Sequence, residues 1–400
     1  MPEATPPRRW DIFCRVVDNF GDIGVCWRLA RQLVMEHGLQ VTLWVDDLAS
    51  FQRLCPELQV DSALQTVQGI HIRYWLEGLP EDVWQSLGEV VIEAFGCDLP
   101  AACLAVMAAR PSQGLGQEAL WLNLEYLSAE DWVGGCHGRP SPHPCLPLTR
   151  YFFFPGFTPA TGGLLREARL QERRREAGQA GALQQWLASQ GLPAEATFAW
   201  NISLFCYENN ALPHLLETWQ QAEQPLRCLV PEGRSLVQVA GLLGQAALRA
   251  GDCITRGALT VQALPFVRQE EYDRLLWACD LNFVRGEDSF VRAQWAARPM
   301  VWHIYPQDGQ AHQVKLDAFM RQYAAGLEPA AAAAWENFWR LWNGDPAVNG
   351  KEVTAAWQAF SRHLAAYERQ AADWAQYLGE QEDLAGQLVA FSKNCHKKPI

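Results

Sequence analysis

An α/β protein made of two doubly wound, Rossmann-like halves facing each other across a cleft is what the sequence predicts, and three observations carry it. Strand-like runs alternate with segments of helical periodicity, the alternation lapses over a charged stretch and restarts after Pro193, and glycine-bearing loops stand where strands run into helices. The length, 400 residues, suits two or three domains at roughly 150 residues each.

Residues 10–17 (WDIFCRVV) form an apolar, β-branched and aromatic run that ends at the loop 18–24 (DNFGDIG). A helix follows over about 25–36, because Val25, Leu29, Leu33 and Val34 recur at helical spacing and Gly38 supplies a stop. Residues 41–45 (VTLWV) are the next strand, so the opening unit is βαβ. Residues 89–94 and 120–124 read as further strands with a helix after Pro100 between them, and 151–154 as the last strand of this half. This order implies a parallel sheet covered on both faces. Residues 166–191, charged and then glycine-bearing, are the candidate linker. Strands are expected again at 197–205, 226–230, 259–264, 280–284 and 300–304. From Leu316 onward Ala, Trp and Glu dominate without a strand signal, which predicts helices. The expected domains are therefore 1–185, 193–365 and a helical end over 366–400 that packs back on the first. The 18 tryptophans are assigned to packing between helices and sheets.

Composition excludes several classes. Hydrophobic residues make up 49% and charged ones 20%, a folded rather than a disordered balance. The net charge of -12 argues against nucleic acid and anionic membrane as partners. The most basic stretch, 166–176, interleaves five arginines with three glutamates and reads as a solvated helix face. No apolar run approaches the ~18–20 residues that cross a bilayer. The N-terminus, with Pro2, Glu3, Pro6 and Arg8, does not read as a signal peptide. Twelve cysteines without any C-x-x-C fit reduced thiols in the cytoplasm. Cys136, His137, His143 and Cys145 cluster within ten residues, but their spacing is wrong for paired zinc knuckles, and four nearby prolines point to a surface loop. No metal is expected.

Ligands of open α/β sheets bind outside the carboxyl ends of the strands, and two loops at such positions carry chemistry. In Asp18-Asn19-Phe20-Gly21-Asp22-Ile23-Gly24 a dinucleotide site is tempting, with Asp46 near the place of a ribose-binding acid. The full G-x-G-x-x-G is absent, however, and two carboxylates flank the turn where a pyrophosphate would sit. Paired acids there favour a cation, or a proton to be removed. Helix capping by Asp22 and turn formation by Asp18 are the structural alternatives.

The second loop, Arg285-Gly286-Glu287-Asp288-Ser289-Phe290, opens a helix. Free N–H groups at a helix start and a fork-shaped guanidinium suit a diphosphate; equally, Asp288 and Ser289 could cap the helix while Arg285 pairs with Glu287. Phe205 and Tyr207 alternate at one strand end, and Phe266 and Gln269 follow another, placing rings and an amide where they could clamp a flat base or fill the core. An acidic pocket in one half and a phosphate-suited pocket in the other is the layout expected of a GT-B glycosyltransferase.

The wording of these segments is more specific than their chemistry. DNFGDIGVCWRLARQL from Asp18, WLNLEYLSAEDW from Trp121, FPGFTPATGGLLRE from Phe154 and LLWACDLNFVRGEDSFVRAQWAARPMVWHIYPQ from Leu275 resemble the bacterial protein-arginine rhamnosyltransferases that modify elongation factor P. The resemblance runs from about Trp10 to the C-terminal helices. It implies an inverting transferase, independent of metal and needing no cofactor. Such an enzyme moves rhamnose from dTDP-β-L-rhamnose to an arginine of the factor. Asp18, Asp22 and Glu287 match positions associated with activity. Asn19, Phe20 and Gly21 would serve the substrate side, and Phe205, Tyr207, Phe266, Gln269, Arg285, Gly286, Asp288 and Ser289 the donor pocket. The first domain would then take the acceptor protein and the second the nucleotide sugar. Competing expectations are a transferase or epimerase of the same architecture with another nucleotide sugar, an NAD-dependent oxidoreductase, and a non-catalytic nucleotide-sugar sensor or partner of the translation machinery.

Overall fold

The computed structural model describes residues 8–397 apart from 19, 77, 114–117, 180, 193–197, 308–310 and 345–347. The chain divides into two compact units, Met1–Ala168 with Glu380–Ile400, and Arg169–Gly379.

The first unit holds an eight-stranded sheet built from β1 (Arg9–Cys14), β2 (Gln40–Val45), β3 (Leu64–Val67), β4 (Ile70–Tyr74), β5 (Val90–Ala94), β6 (Leu120–Leu124), β7 (Pro140–Pro142) and β8 (Thr149–Phe153). Their order is β3-β4-β2-β1-β5-β6-β8-β7; the six inner strands run parallel and the two edges pair antiparallel. Strand order reverses between β1 and β5, the switch point at which doubly wound sheets open a crevice. The helix Gly21–His37 buries Ile23, Val25, Leu29 and Leu33 and stops at Gly38, whose φ of 64° is the left-handed conformation of a helix end. Under the sheet Phe13 stacks on Trp44 at 5.1 Å, with Trp75 and Trp84 packed against Phe13.

In the first unit three strands, β3, β4 and β7, lie outside the sequence expectation. Only β4 of them joins the parallel set, and it is reached through a tight hairpin whose Gln68 and Gly69 take φ of 51° and 80°. Both central residues at positive φ make a type I′ geometry, which sequence normally advertises with Asn-Gly or Asp-Gly rather than Gln-Gly. The Cys136 segment is not an irregular loop: Val133–Cys136 is a helical turn and β7 pairs with β8. His137 Nδ1 accepts the Phe154 N–H at 3.1 Å, and His143 Nδ1 accepts those of Cys145 and Leu146, so both imidazoles fold this segment.

The second unit has a six-stranded sheet of β9 (Trp200–Leu204), β10 (Leu226–Pro231), β11 (Cys253–Arg256), β12 (Leu259–Leu264), β13 (Leu281–Arg285) and β14 (Met300–His303). The order is β11-β12-β10-β9-β13-β14, parallel except for the edge strand β11, with its switch point between β9 and β13.

The observed boundaries differ from the expected ones at 185 and 366. The helix Leu170–Ala177 belongs with the second unit, where Arg173 donates to Glu270 O at 2.7 Å and Arg174 to Trp295 O at 2.8 Å. These two arginines are thus bound rather than solvated; Arg169 and Glu172 keep the exposed pairing expected of the stretch. Helix Leu364–Gly379 also stays with the second unit, through Trp374 Nε1 to Gln294 Oε1 at 2.6 Å. The chain rejoins the first unit only at Glu380, and its last helix, Leu384–Lys397, lies against the helix Gly21–His37.

Candidate active site

In the first unit the loop after β1 is pinned from several sides. Asp46, at the end of β2, accepts the Val16 N–H at 2.9 Å, a structural task for the residue considered above as a ribose-binding acid. Asp22 lies in the first turn of the helix, not at its cap, which is Phe20. Its Oδ2 accepts the N–H groups of Val17 at 2.8 Å and Asp18 at 2.9 Å, so the carboxylate folds the loop back over itself. Its Oδ1 accepts from the Tyr126 hydroxyl at 3.3 Å. Gly21 lies so close to Asp18 that a Cβ there would come within 2.9 Å of Asp18 Oδ2. Asp18, Phe20 and Gly21 are half-buried and Asp22 is buried. Asn19 lies outside the described residues.

Burial pushes the Asp22 carboxyl above the usual carboxylate range and the Asp18 charge adds to this, while the two backbone N–H groups and Tyr126 hold it down.

Tyr126, two residues past β6, was not singled out by sequence reasoning, and neither was Phe95, directly after β5. Their rings stack at 4.6 Å with 20° between planes, and Phe95 holds φ at 58°, a left-handed conformation that costs a bulky residue energy. The signal was present in EAFGCD and LEYLS: aromatic residues immediately after buried strands beside the switch point.

In the second unit Arg285 ends β13 with 8% exposure. Its guanidinium lies over the rings of Phe205 at 4.5 Å and Tyr207 at 4.6 Å. Those rings therefore share one side, as their alternation implies, and it is a cation that they hold. Nη1 of Arg285 is buried without a hydrogen-bond partner among the described residues. Ser289 Oγ accepts the Arg285 N–H and donates to its carbonyl, closing the turn. Asp288 accepts from Gln269 Nε2 at 3.0 Å, which ties the start of the helix Gln269–Ala278 to the start of the helix Asp288–Ala296. Glu287 occupies the cap position without a side-chain cap bond, and Gly286 turns at φ 59°. Phe266 is half-buried in the loop after β12. Each of these residues stands at the carboxyl end of a strand or the start of the helix it leads into. Together they present a desolvated cation with an unused donor beside a helix start, an arrangement suited to phosphate oxygens.

Residues 10–393 match the family described as Elongation-Factor P (EF-P) rhamnosyltransferase EarP. The chain belongs to this family. It is 51% identical over 388 residues to the protein-arginine rhamnosyltransferase of Pseudomonas putida, covering 96% of this chain and 98% of that one. The protein of the same description from Pseudomonas aeruginosa is 50% identical over 385 residues, with 96% and 98% covered. A solved structure described as the structural basis for EarP-mediated arginine glycosylation of translation elongation factor EF-P superposes with a TM-score of 0.66 at 40% identity, covering 97% of this chain and 99% of that one. A glycosyltransferase from Rickettsia africae, only 8% identical, reaches a TM-score of 0.53 over 99% of this chain and all of its own, a likeness of fold alone. The fold is of the GT-B type, two Rossmann-like doubly wound units in one chain. Within the described residues no helix is long and apolar enough to cross a membrane.

Proposed function

We propose that the protein transfers rhamnose from dTDP-β-L-rhamnose to an arginine side chain of elongation factor P, with inversion at C1, in the cytoplasm and without a metal. Family membership over residues 10–393 supports the reaction class and the acceptor. The single structural observation that supports the chemistry is the buried Asp22, its carboxyl raised by desolvation, close to Asp18 in the loop and first helical turn that follow β1.

A guanidinium is delocalised, permanently protonated and a poor nucleophile. Asp18 grips it, which localises electron density on the attacking nitrogen. That nitrogen forms the bond to C1 as the bond from C1 to the dTDP oxygen breaks, and dTDP leaves with the electron pair. The proton released from the nitrogen passes to Asp22 as general base. Charge growing on the leaving diphosphate is met by Arg285 and by the N–H groups opening the helix Asp288–Ala296. Those donors do the work that a metal ion performs in other transferases. Phe205, Tyr207, Phe266 and Gln269 enclose the nucleotide, while Glu287 holds the deoxyribose or fixes Arg285.

Intact-mass spectrometry of elongation factor P after incubation with the protein and dTDP-β-L-rhamnose tests the proposal. The expected outcome is a gain of one deoxyhexose, absent when the target arginine is replaced. Asp22→Asn should abolish the gain and leave dTDP affinity within about twofold, as expected for a group acting only in the transition state. No gain with nucleotide binding retained would remove the acceptor assignment, and loss of dTDP binding in Asp22→Asn would remove the role given to Asp22.

A further inference from the structure

Beside the Arg285 loop stands a second polar group that neither the family resemblance nor the loop motif marks. His303 ends β14, and Arg285 at the end of β13 is its register partner across the parallel pair, so their side chains leave the sheet in the same direction. The two share a wall: the Tyr207 ring lies 4.6 Å from the Arg285 guanidinium carbon and 5.3 Å, edge-on, from the His303 ring. Trp342 flanks His303 at 5.9 Å. His303 is 7% exposed, and its Nδ1, like Nη1 of Arg285, is buried without a hydrogen-bond partner among the described residues.

Two adjacent strand ends therefore each bring an unused, desolvated nitrogen to the carboxyl edge of one sheet. Buried polar atoms are normally paired, because leaving one unmade costs free energy that packing does not return. Two orphans side by side mark the place of a ligand that completes both. Burial, with the charges of Arg285 and His312 nearby, holds the imidazole down to about 3, so it is neutral at physiological pH. Among the described residues Tyr207 and Trp342 pack against it and Arg285 and His312 bring charge near it, and none of these four is a carboxylate. A neutral imidazole with a proton on Nδ1 is a hydrogen-bond donor that adds no second charge beside Arg285.

We propose that His303 is a donor-binding residue: its neutral imidazole donates from Nδ1 to a phosphate oxygen of the nucleoside diphosphate whose charge Arg285 meets. The inference rests on the reading that this loop takes a nucleoside diphosphate. Division of labour between a fixed cation and a neutral donor lets the pocket bind the diphosphate firmly while the histidine stays uncharged in the empty protein.

Calorimetric titration of the full chain with dTDP and with dTDP-β-L-rhamnose tests it, using His303→Phe, which keeps a ring against Tyr207 and Trp342, and His303→Asn, which restores an N–H near the position of Nδ1. The expected result is a loss of about tenfold in affinity for both ligands in His303→Phe and recovery to within about threefold in His303→Asn. The melting temperature of the ligand-free His303→Phe protein should be no lower than that of the wild type, because an unpaired buried nitrogen has been removed; a purely structural histidine would lower it and leave affinity alone. Unchanged affinity in His303→Phe, with the wild type binding dTDP, overturns the role of His303 and leaves the donor reading standing. Loss confined to dTDP-β-L-rhamnose overturns the diphosphate assignment in favour of the sugar. A wild type that binds neither dTDP nor any of UDP, GDP and ADP overturns this inference and the donor reading together. Should His303→Phe fail to fold, the 15N resonances of histidine-labelled wild type decide: His303 Nδ1 must report the neutral, Nδ1-protonated form and shift on saturation with dTDP, and a resonance that does not move overturns the role.

Discussion

At the scale of single residues, Asp22 shows how one carboxylate is given two tasks. Oδ2 is consumed by the backbone of the loop that it closes, and Oδ1 is aimed by a phenol. Tyr126 in turn is held by a ring whose backbone is strained. Because the Tyr126 hydroxyl favours the ionised form, its removal raises the Asp22 carboxyl further above the ordinary range. In the role proposed for Asp22 a general base must be ionised to act, so activity is expected to fall as pH drops through its titration. Tyr126→Phe should therefore shift the acid limb of the kcat/KM profile to higher pH. It should also lower kcat/KM at pH 7 by about tenfold, roughly the worth of one hydrogen bond to a charged group. A profile superimposable on that of the wild type would show that Oδ1 is oriented by something else. That Asp18, Asp22 and Arg285 stand where a strand gives way to a helix was legible in the sequence, because charged residues and glycines interrupt the apolar runs there. The contacts of Tyr126, Phe95 and His303 were not, since an aromatic or histidine at a strand end is ordinarily core, and only the ring stacking, hydrogen bonding and strand register of the folded sheets set them apart.

Among the elements, the segment FPGFTPATGG shows how glycines shape the chain where the last helix returns to the first unit. Phe154–Leu164 folds back on itself, with the Gly162 N–H donating to Phe154 O at 2.7 Å and the Gly156 N–H to Gly163 O at 3.2 Å. A Cβ on Gly156 would meet Thr161 Oγ1 at 2.6 Å, and one on Gly162 would meet the Phe153 ring at 2.5 Å. Gly163 faces the other way: at φ 69° its missing Cβ would stand 2.5 Å from Glu382 O, where the returning chain is seated. Leu384 N–H then donates to Leu164 O, and Gln381 Nε2 to Phe157 O. Gly163→Ala combines a left-handed conformation with a clash against rigid backbone, and should cost about 2–3 kcal/mol. Gly38→Ala, at φ 64° with open space around it, should cost about 1 kcal/mol. Differential scanning calorimetry of the two variants checks the contrast, and equal losses would mean that the contact with Glu382 carries no weight.

For the whole molecule, the point of consequence is that the first unit is discontinuous in sequence. Leu384, Ala385, Leu388 and Val389 are buried in it, and Gln32 Nε2 donates to Asp383 Oδ1 at 2.9 Å and to Arg166 O at 2.9 Å. At about 1.5–3 kcal/mol for each large apolar side chain, the last helix contributes on the order of 5 kcal/mol, comparable with the stability of a domain. A chain ending at Gly379 should therefore lose the fold of the first unit, with rapid proteolysis within residues 8–168, while the second unit still binds dTDP. Intact protection of residues 8–168 in the shortened protein would show that the unit is complete without its last helix.

The sequence by itself determined the α/β class, the two tandem halves, most inner strands and the two loops that carry the acids and Arg285, because each is a local matter of side-chain periodicity, glycine placement and residue type. Tertiary structure decided the rest. The hairpin into β4 depends on Gln68 accepting a positive φ that its own side chain does not favour. The attachment of Leu170–Ala177 to one unit and of Leu384–Lys397 to the other depends on partners about 100 to 350 residues away, among them Glu270, Trp295 and Gln32. That Asp22 Oδ1 accepts from Tyr126, and that Phe205 and Tyr207 hold Arg285, are settled by packing between strand ends brought near one another only in the folded sheets.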